Sequence, residues 1–256
     1  MAYSVQRFGW IPDLPDQRDH LFAAPVVALK KLPPSVDLRP HCPPIYDQGQ
    51  LGSCTANGIG AALQFDRMKQ KLTPNFIPSR LFIYYNERVM EHSVQSDSGA
   101  QIRDGIKSVA HQGDCPESEW PYDIEKFTQK PPPHCYQSAL KDRALSYQRV
   151  AQSVNQMKGC LASGYPFVFG FTVYDSFEGT HVAQTGVVPM PGPNEQILGG
   201  HCVTAVGYDD AHQRFLIRNS WGVGWGMQGH CTMPYAYLLD PNLASDFWTI
   251  RLVSKD

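Results

Sequence analysis

With 256 residues, 42 % of them hydrophobic and 18 % charged, the chain has enough apolar material for one large domain or two compact ones sharing a core. A formal net charge of −2 leaves no electrostatic footprint for a nucleic acid or another polyanion. No apolar run approaches the ~20 residues that span a bilayer, and the first ten residues lack the basic-then-apolar order of a secretory signal, which leaves location open.

In chain order, residues 1–33 stand apart. The stretch from Ile11 to Asp19 is rich in proline and charge, follows Phe8 and Trp10, and cannot form a long helix. Pro33 and Pro34 separate it from the body, residues 34–256. Such a segment either lies in an apolar cleft and restrains it or packs as a tail on the back of the protein. From Cys54 the pattern turns helical to about Lys71, with Ile59, Ala62 and Leu63 on one face and Pro74 beyond. A second helix is predicted from Ser79 to about His92. A third is predicted from Ser98, where Ser98 and Gln101 make a capping box, with Ile102, Ile106 and Val109 on one face and Gly113 as the stop. After Pro131–Pro133 a short helix (about 154–163) precedes strands predicted at 165–174, 202–208, 215–219, 229–233 and 247–253. The chain therefore reads as α+β, a helical half to about residue 145 followed by a β half from about 146.

Seven cysteines is an odd number, so at least one lies outside any intramolecular disulfide. Four follow a histidine directly (His41–Cys42, His134–Cys135, His201–Cys202, His230–Cys231), but no Cys-x-x-Cys spacing exists, and neighbours in an extended strand point to opposite faces. The pairs read as coincidence, and no metal or other cofactor is expected. Cys115 and Cys135 flank Trp120-Pro-Tyr122 and either close a disulfide or remain buried thiols.

Three stretches carry chemistry. In Asp47-Gln-Gly-Gln-Leu-Gly-Ser-Cys-Thr-Ala-Asn57 a loop delivers Cys54 to a helix start, whose partial positive charge and unpaired N–H groups favour a thiolate. Alone, the segment fits a buried structural cysteine equally well. In Gly199-Gly-His-Cys-Val-Thr-Ala-Val-Gly-Tyr-Asp209 two glycines and a strand hold His201, one of nine histidines. In Ile217-Arg-Asn-Ser-Trp-Gly-Val-Gly-Trp-Gly226 a strand delivers Asn219, whose amide can fix a histidine ring while Trp221 covers the bond from water. Each segment alone can be structural; the three in this order point to a Cys-His-Asn nucleophilic site.

These residues resemble the papain family of cysteine peptidases. Gln48, ahead of Gly52-Ser53-Cys54, lies where the family has its oxyanion-hole glutamine. His201 and Asn219 match the family histidine and asparagine, and Asn219–Gly226 matches the family Asn-Ser-Trp-Gly-x-x-Trp-Gly pattern. Val36-Asp-Leu-Arg39 resembles the family's mature N-terminus, and the wording of 10–16 and 43–48 resembles bacterial members. Leu51 replaces the usual cysteine before the nucleophile and Thr55 the usual aromatic after it. His201 follows Cys54 within the family separation of about 130–150 residues, while Asn219 lies somewhat beyond it.

The resemblance implies a two-domain fold with a helical left domain, a β-barrel-like right domain and the cleft between them. It also implies a cysteine endopeptidase acting on a peptide or protein substrate, with Cys54 as nucleophile in a thiolate–imidazolium pair, His201 as acid and base, Asn219 orienting the ring, and Gln48 in the oxyanion hole. Gly99 and Ser98 are expected to pair with substrate backbone, with Phe171, Val173 and Cys202 lining a side-chain pocket and Trp221 walling the cleft. A monomer is expected. Rival readings are a transpeptidase using the same acyl-enzyme, and a non-catalytic peptide-binding module on the same fold.

Overall fold

The computed structural model describes residues 8–254. In chain order these form β1 (Leu21–Phe22), α1 (Val26–Leu29), β2 (Ser35–Asp37), α2 (Cys54–Lys69), α3 (Arg80–Met90), α4 (Ile102–His111) and α5 (Pro133–Ala139). There follow β3 (Ala144–Val150), α6 (Val154–Ala162), β4 (Phe167–Tyr174), α7 (Asp175–Glu178), α8 (Thr180–Thr185), β5 (Ile197–Asp209), β6 (Arg214–Arg218), β7 (His230–Pro234), α9 (Tyr235–Leu239) and β8 (Ala244–Val253).

Helix α2 is buried along nearly its whole length, from Cys54 to Arg67. Its small residues explain how a helix can sit so deep: at Gly58 a methyl group would stand 3.2 Å from Cys202 Sγ, so the backbone approaches β5 closely. Ser79 caps α3 by accepting a hydrogen bond from the Phe82 N–H. The predicted start of α4 is corrected. Its N-cap is Gln101 rather than Ser98, and no side-chain cap bond forms there. The Gln101 amide oxygen instead accepts from Leu14 N–H (3.1 Å), so a distant segment took the group that the capping box would have used.

The strands form one sheet in the order β1-β3-β8-β4-β5-β6-β7, with β2 added to β5. This is an open sheet, which corrects the barrel-like expectation. Period-two alternation gives it two apolar faces. On one face Phe167, Phe169, Phe171 and Phe247 join the larger core; on the other, Val168, Cys202, Trp248 and Ile250 pack with Cys54, Ile59, Leu63, Leu81, Ile102 and Ile106. Helices α2–α4 thus lie against one face, and the papain-like arrangement of helices and sheet is present. No helix among the described residues is long and apolar enough to cross a membrane.

The extension takes a defined course. Trp10 pairs in parallel with Ala100, through Ala100 N–H to Gly9 O (2.8 Å) and Ile11 N–H to Ala100 O (3.0 Å), and Trp10 N–H reaches Gly200 O on the other side (2.9 Å). Residues 9–11 therefore bridge the segment before α4 and strand β5. β1 then pairs in parallel with β3. Residues 9–11 thus run between the segment before α4 and β5, and residues 21–22 reach the sheet edge at β3; residues 1–7 lie outside the described residues.

Candidate active site

Cys54 is the first residue of α2 and is fully buried. The loop before it is braced from several directions. Gly52 N–H donates to both carboxylate oxygens of Asp97 (3.0 and 3.1 Å), and Asp97 also accepts from the Tyr84 hydroxyl. Tyr122 donates its hydroxyl to Gln48 O (2.9 Å) and meets Ser53 Oγ.

His201 lies in β5 and Asn219 just beyond the end of β6, its neighbour in the sheet. The sheet register brings the His201 Nε2 and Asn219 Oδ1 atoms to 2.8 Å. Trp221 stacks on the imidazole with centroids 5.0 Å apart and planes 29° apart, and Trp225 meets Trp221 edge-on at 5.3 Å. That aromatic cover excludes water from the His201–Asn219 bond. Bonding through Nε2 leaves Nδ1 as the remaining ring nitrogen, buried without a hydrogen-bond partner among the described residues.

Gln48 is clamped in place. Its Oε1 accepts from Ser220 Oγ (2.7 Å), its backbone N–H donates to Ser220 O (2.9 Å), and Nε2 donates to Leu51 O (3.0 Å). An amide nitrogen carries two N–H groups, so one donor remains for another acceptor.

Burial sets the direction in which both titrating groups move. Burial pushes the Cys54 thiol up to about 12, against opposing hydrogen bonds from the backbone N–H groups of Cys202, Gly9 and Thr55. Burial likewise pushes His201 down to about 4, with the Asn219 bond acting the other way. A helix N-terminus favours an anion by about 0.3–1 kcal/mol, up to ~2. A rise from 9.0 to about 12 corresponds to roughly 4 kcal/mol, so burial outweighs the helix terminus and favours the uncharged thiol and imidazole. The extension reaches this site: Gly9 N–H acts on the sulfur beside those of Cys202 and Thr55, and the Phe8 ring lies 6.2 Å from the His201 ring.

The remaining sequence-predicted residues divide. Gly99, at φ +75°, faces the extension, where a side chain would collide with Gly9 O; its N–H donates to the Tyr84 hydroxyl (3.2 Å). Ser98 precedes it, and its hydroxyl donates to Gly99 O (3.2 Å). Cys202 lies between α2 and the sheet, close to Cys54. Phe171 and Val173 are interior residues of the larger core, where Phe171 packs edge-on against Phe177 (5.0 Å) and Tyr237 (6.0 Å).

One residue before Phe171, Gly170 lies against the extension. A methyl group there, or at Gly200, would overlap the Trp10 indole. Trp10 Nε1 donates to Asp246 Oδ2 (3.2 Å), which also accepts from Asp13 N–H (2.8 Å). Arg149 pairs with Asp246 (2.8 Å), Asp13 (3.4 Å) and Asp19 (3.3 Å), while Arg103 pairs with Asp19 (2.6 Å). Sequence reasoning missed Gly170, Asp246, Arg149 and Arg103. A lone glycine inside the aromatic run Phe167–Phe171 was the available signal, since such a glycine marks a close approach to a strand.

The profile of the "Papain family cysteine protease" matches residues 32–238. The chain is 43 % identical to the "Uncharacterized peptidase C1-like protein L477" of Acanthamoeba polyphaga mimivirus, over 97 % of this chain and 88 % of that one. It is 27 % identical to "Cathepsin B-like CP2" of Giardia intestinalis, over 79 % and 69 %. Among solved structures, xylellain, a cysteine protease from Xylella fastidiosa, superimposes with a TM-score of 0.90 at 46 % identity, covering 97 % of this chain and 99 % of that one. A procathepsin B from Trypanosoma congolense shares the fold at a TM-score of 0.77 and 17 % identity. The chain belongs to the papain family of cysteine proteases and is a cysteine peptidase, a hydrolase acting on peptide or protein substrates.

Proposed function

We propose that the chain is an endopeptidase hydrolysing peptide bonds through a thioester acyl-enzyme, made as a latent form whose N-terminal extension, residues 1–33, restrains the peptidase unit of residues 34–256. The observation that carries the reading is the 2.8 Å bond between His201 and Asn219 beneath Trp221, with Cys54 at the head of α2 and Gly9 over its sulfur. Once the extension leaves, water enters, the burial that keeps both groups neutral is relieved, and the helix N-terminus favours the thiolate. Cys54 attacks the scissile carbonyl carbon. The oxyanion is held by the free N–H of the Gln48 amide and the Cys54 backbone N–H, and protonated His201 gives its proton to the leaving amine. Neutral His201 then takes a proton from water as the hydroxide oxygen adds to the thioester, releasing the acid and restoring the thiol.

Gly99 and Ser98 pair with substrate backbone where Gly9 and Trp10 now lie. The recess of Gly170, Gly200 and Asp246 takes a substrate side chain, with Cys202 behind it and Trp221 walling the leaving-group side. The test is hydrolysis of a fluorogenic peptide-amide panel and of a denatured protein by the chain cut after residue 33. Internal cleavage that disappears in Cys54→Ala supports the endopeptidase; intact substrates across the panel from a folded, alkylatable chain refute it.

A further inference from the structure

Behind the loop that braces Cys54 lies a second group of nucleophilic side chains with no part in the chemistry above. Cys115 follows α4 and Cys135 sits in the first turn of α5; both are free thiols and fully buried. Their sulfur atoms and a carboxylate oxygen of Glu119 all lie within 4.8 Å of one another. Cys135 Sγ is 3.5 Å from Nε2 of His134, which is exposed to solvent. The Glu119 Oε2 atom is buried without a hydrogen-bond partner among the described residues.

Zinc bonds to sulfur at about 2.3 Å and to histidine nitrogen at about 2.0–2.1 Å, so sulfur and nitrogen ligands on one tetrahedron stand roughly 3.5 Å apart. The Cys135–His134 separation already has that value. A disulfide between Cys115 and Cys135 would satisfy the sulfurs alone. It would leave the buried Glu119 Oε2 unanswered, an arrangement that costs free energy. A dication answers the carboxylate and both sulfurs together.

We propose that Cys115, Cys135 and Glu119, which already cluster, form a structural zinc(II) site that the exposed His134 ring completes by turning inward. Binding releases the two thiol protons to solvent and forms two Zn–S bonds, one Zn–O bond and one Zn–N bond, closing the tetrahedron. His134, on the exposed side, gives the ion its path in. The sequence reading set aside the four His–Cys pairs because strand neighbours diverge; His134 and Cys135 escape that argument because they lie on a helix. The site ties the two ends of segment 115–135 together. That segment carries Trp120, whose carbonyl accepts from Ser79 Oγ (2.7 Å), and Tyr122, which holds Gln48 and Ser53. The metal therefore anchors the brace behind the candidate nucleophile and takes no part in the reaction.

The test uses the full chain carrying Cys54→Ala, so that Cys54 and His201 cannot capture metal. After expression with zinc and dialysis against metal-free buffer, elemental analysis is expected to give one zinc per chain, falling at least tenfold in Cys135→Ser. Cobalt(II) substitution of the chain with the four ligands intact is expected to give thiolate-to-metal charge-transfer absorption, which remains informative if the serine variant fails to fold. Less than a tenth of an equivalent of zinc with no such absorption overturns the proposal. So does an unreduced mass two hydrogens lower with peptides 115 and 135 linked, or zinc retained by folded Cys135→Ser.

Discussion

Replacing Trp10 with alanine removes the side chain that seats the extension in the groove. An indole buries about 150–250 Å² when fully enclosed, and Trp10 is partly enclosed against Gly170 and Gly200, so roughly 3 kcal/mol of docking free energy is lost at ~25 cal/mol per Å². Loss of the Nε1 bond to the Asp246 carboxylate adds about 1 kcal/mol once water replaces it. Together these shift the open fraction by roughly 10²–10³, up to the ceiling set by a fully open groove. The assay is the second-order rate of Cys54 alkylation by an epoxysuccinyl peptide on the full chain, with the chain cut after residue 33 as the ceiling. Gly170→Ala attacks the same seat from the other side, since its methyl group would overlap the indole, and the labelling rate is expected to rise in that variant also. Folded Trp10→Ala and Gly170→Ala chains that label at the parent rate, well below the ceiling, would refute the reasoning.

Other outcomes follow from the same geometry. Gln48→Ala is expected to lower kcat of the opened enzyme by ~10²–10³ while Cys54 alkylation persists; equal loss of both contradicts the oxyanion role. Tyr122→Phe removes the hydroxyl that holds Gln48 O and Ser53 Oγ and is expected to cost about 1–2 kcal/mol, read as a lower denaturation midpoint. The pH dependence of docking rests on Asp13. Burial and the neighbouring Asp246 charge raise docked Asp13 from 3.8 to about 6, so its contribution is full below about pH 4 and is lost as pH rises through 6. The Cys54–His201 pair holds one proton in either form, on sulfur when docked and on the imidazole when open, so it adds no slope in that window. Labelling relative to the opened chain is expected to rise as pH goes from 4 to 7, and Asp13→Asn to flatten the profile; an unchanged profile in the variant contradicts this.

What the sequence made legible was local. Cys54 at a helix start and Asn219 ahead of Trp221 are short-range patterns, and the cores of α2, α3, β4 and β5 follow from their periodicity. Helix α5 was missed because Pro131–Pro133 reads as a break, although proline is tolerated in a first helical turn. Strand β3 was missed because its residues are half-exposed and mixed in polarity. The close approach of Trp10 to Gly170, beside the Phe171 ring that packs on His201 at 5.7 Å, was not read because a glycine has no side chain to mark it. The Asp13–Asp246–Arg149 cluster joins residues more than 200 positions apart in sequence, and no local pattern announces such a contact.

The most direct measurement is intact mass with peptide mapping after treating the full chain, and the chain cut after residue 33, with an epoxysuccinyl peptide in mild reductant. The account predicts slow modification of the full chain and rapid, single modification of the cut chain at Cys54, abolished by His201→Ala. Modification at another cysteine, or a cut, folded chain that takes no adduct at Cys54, would contradict it.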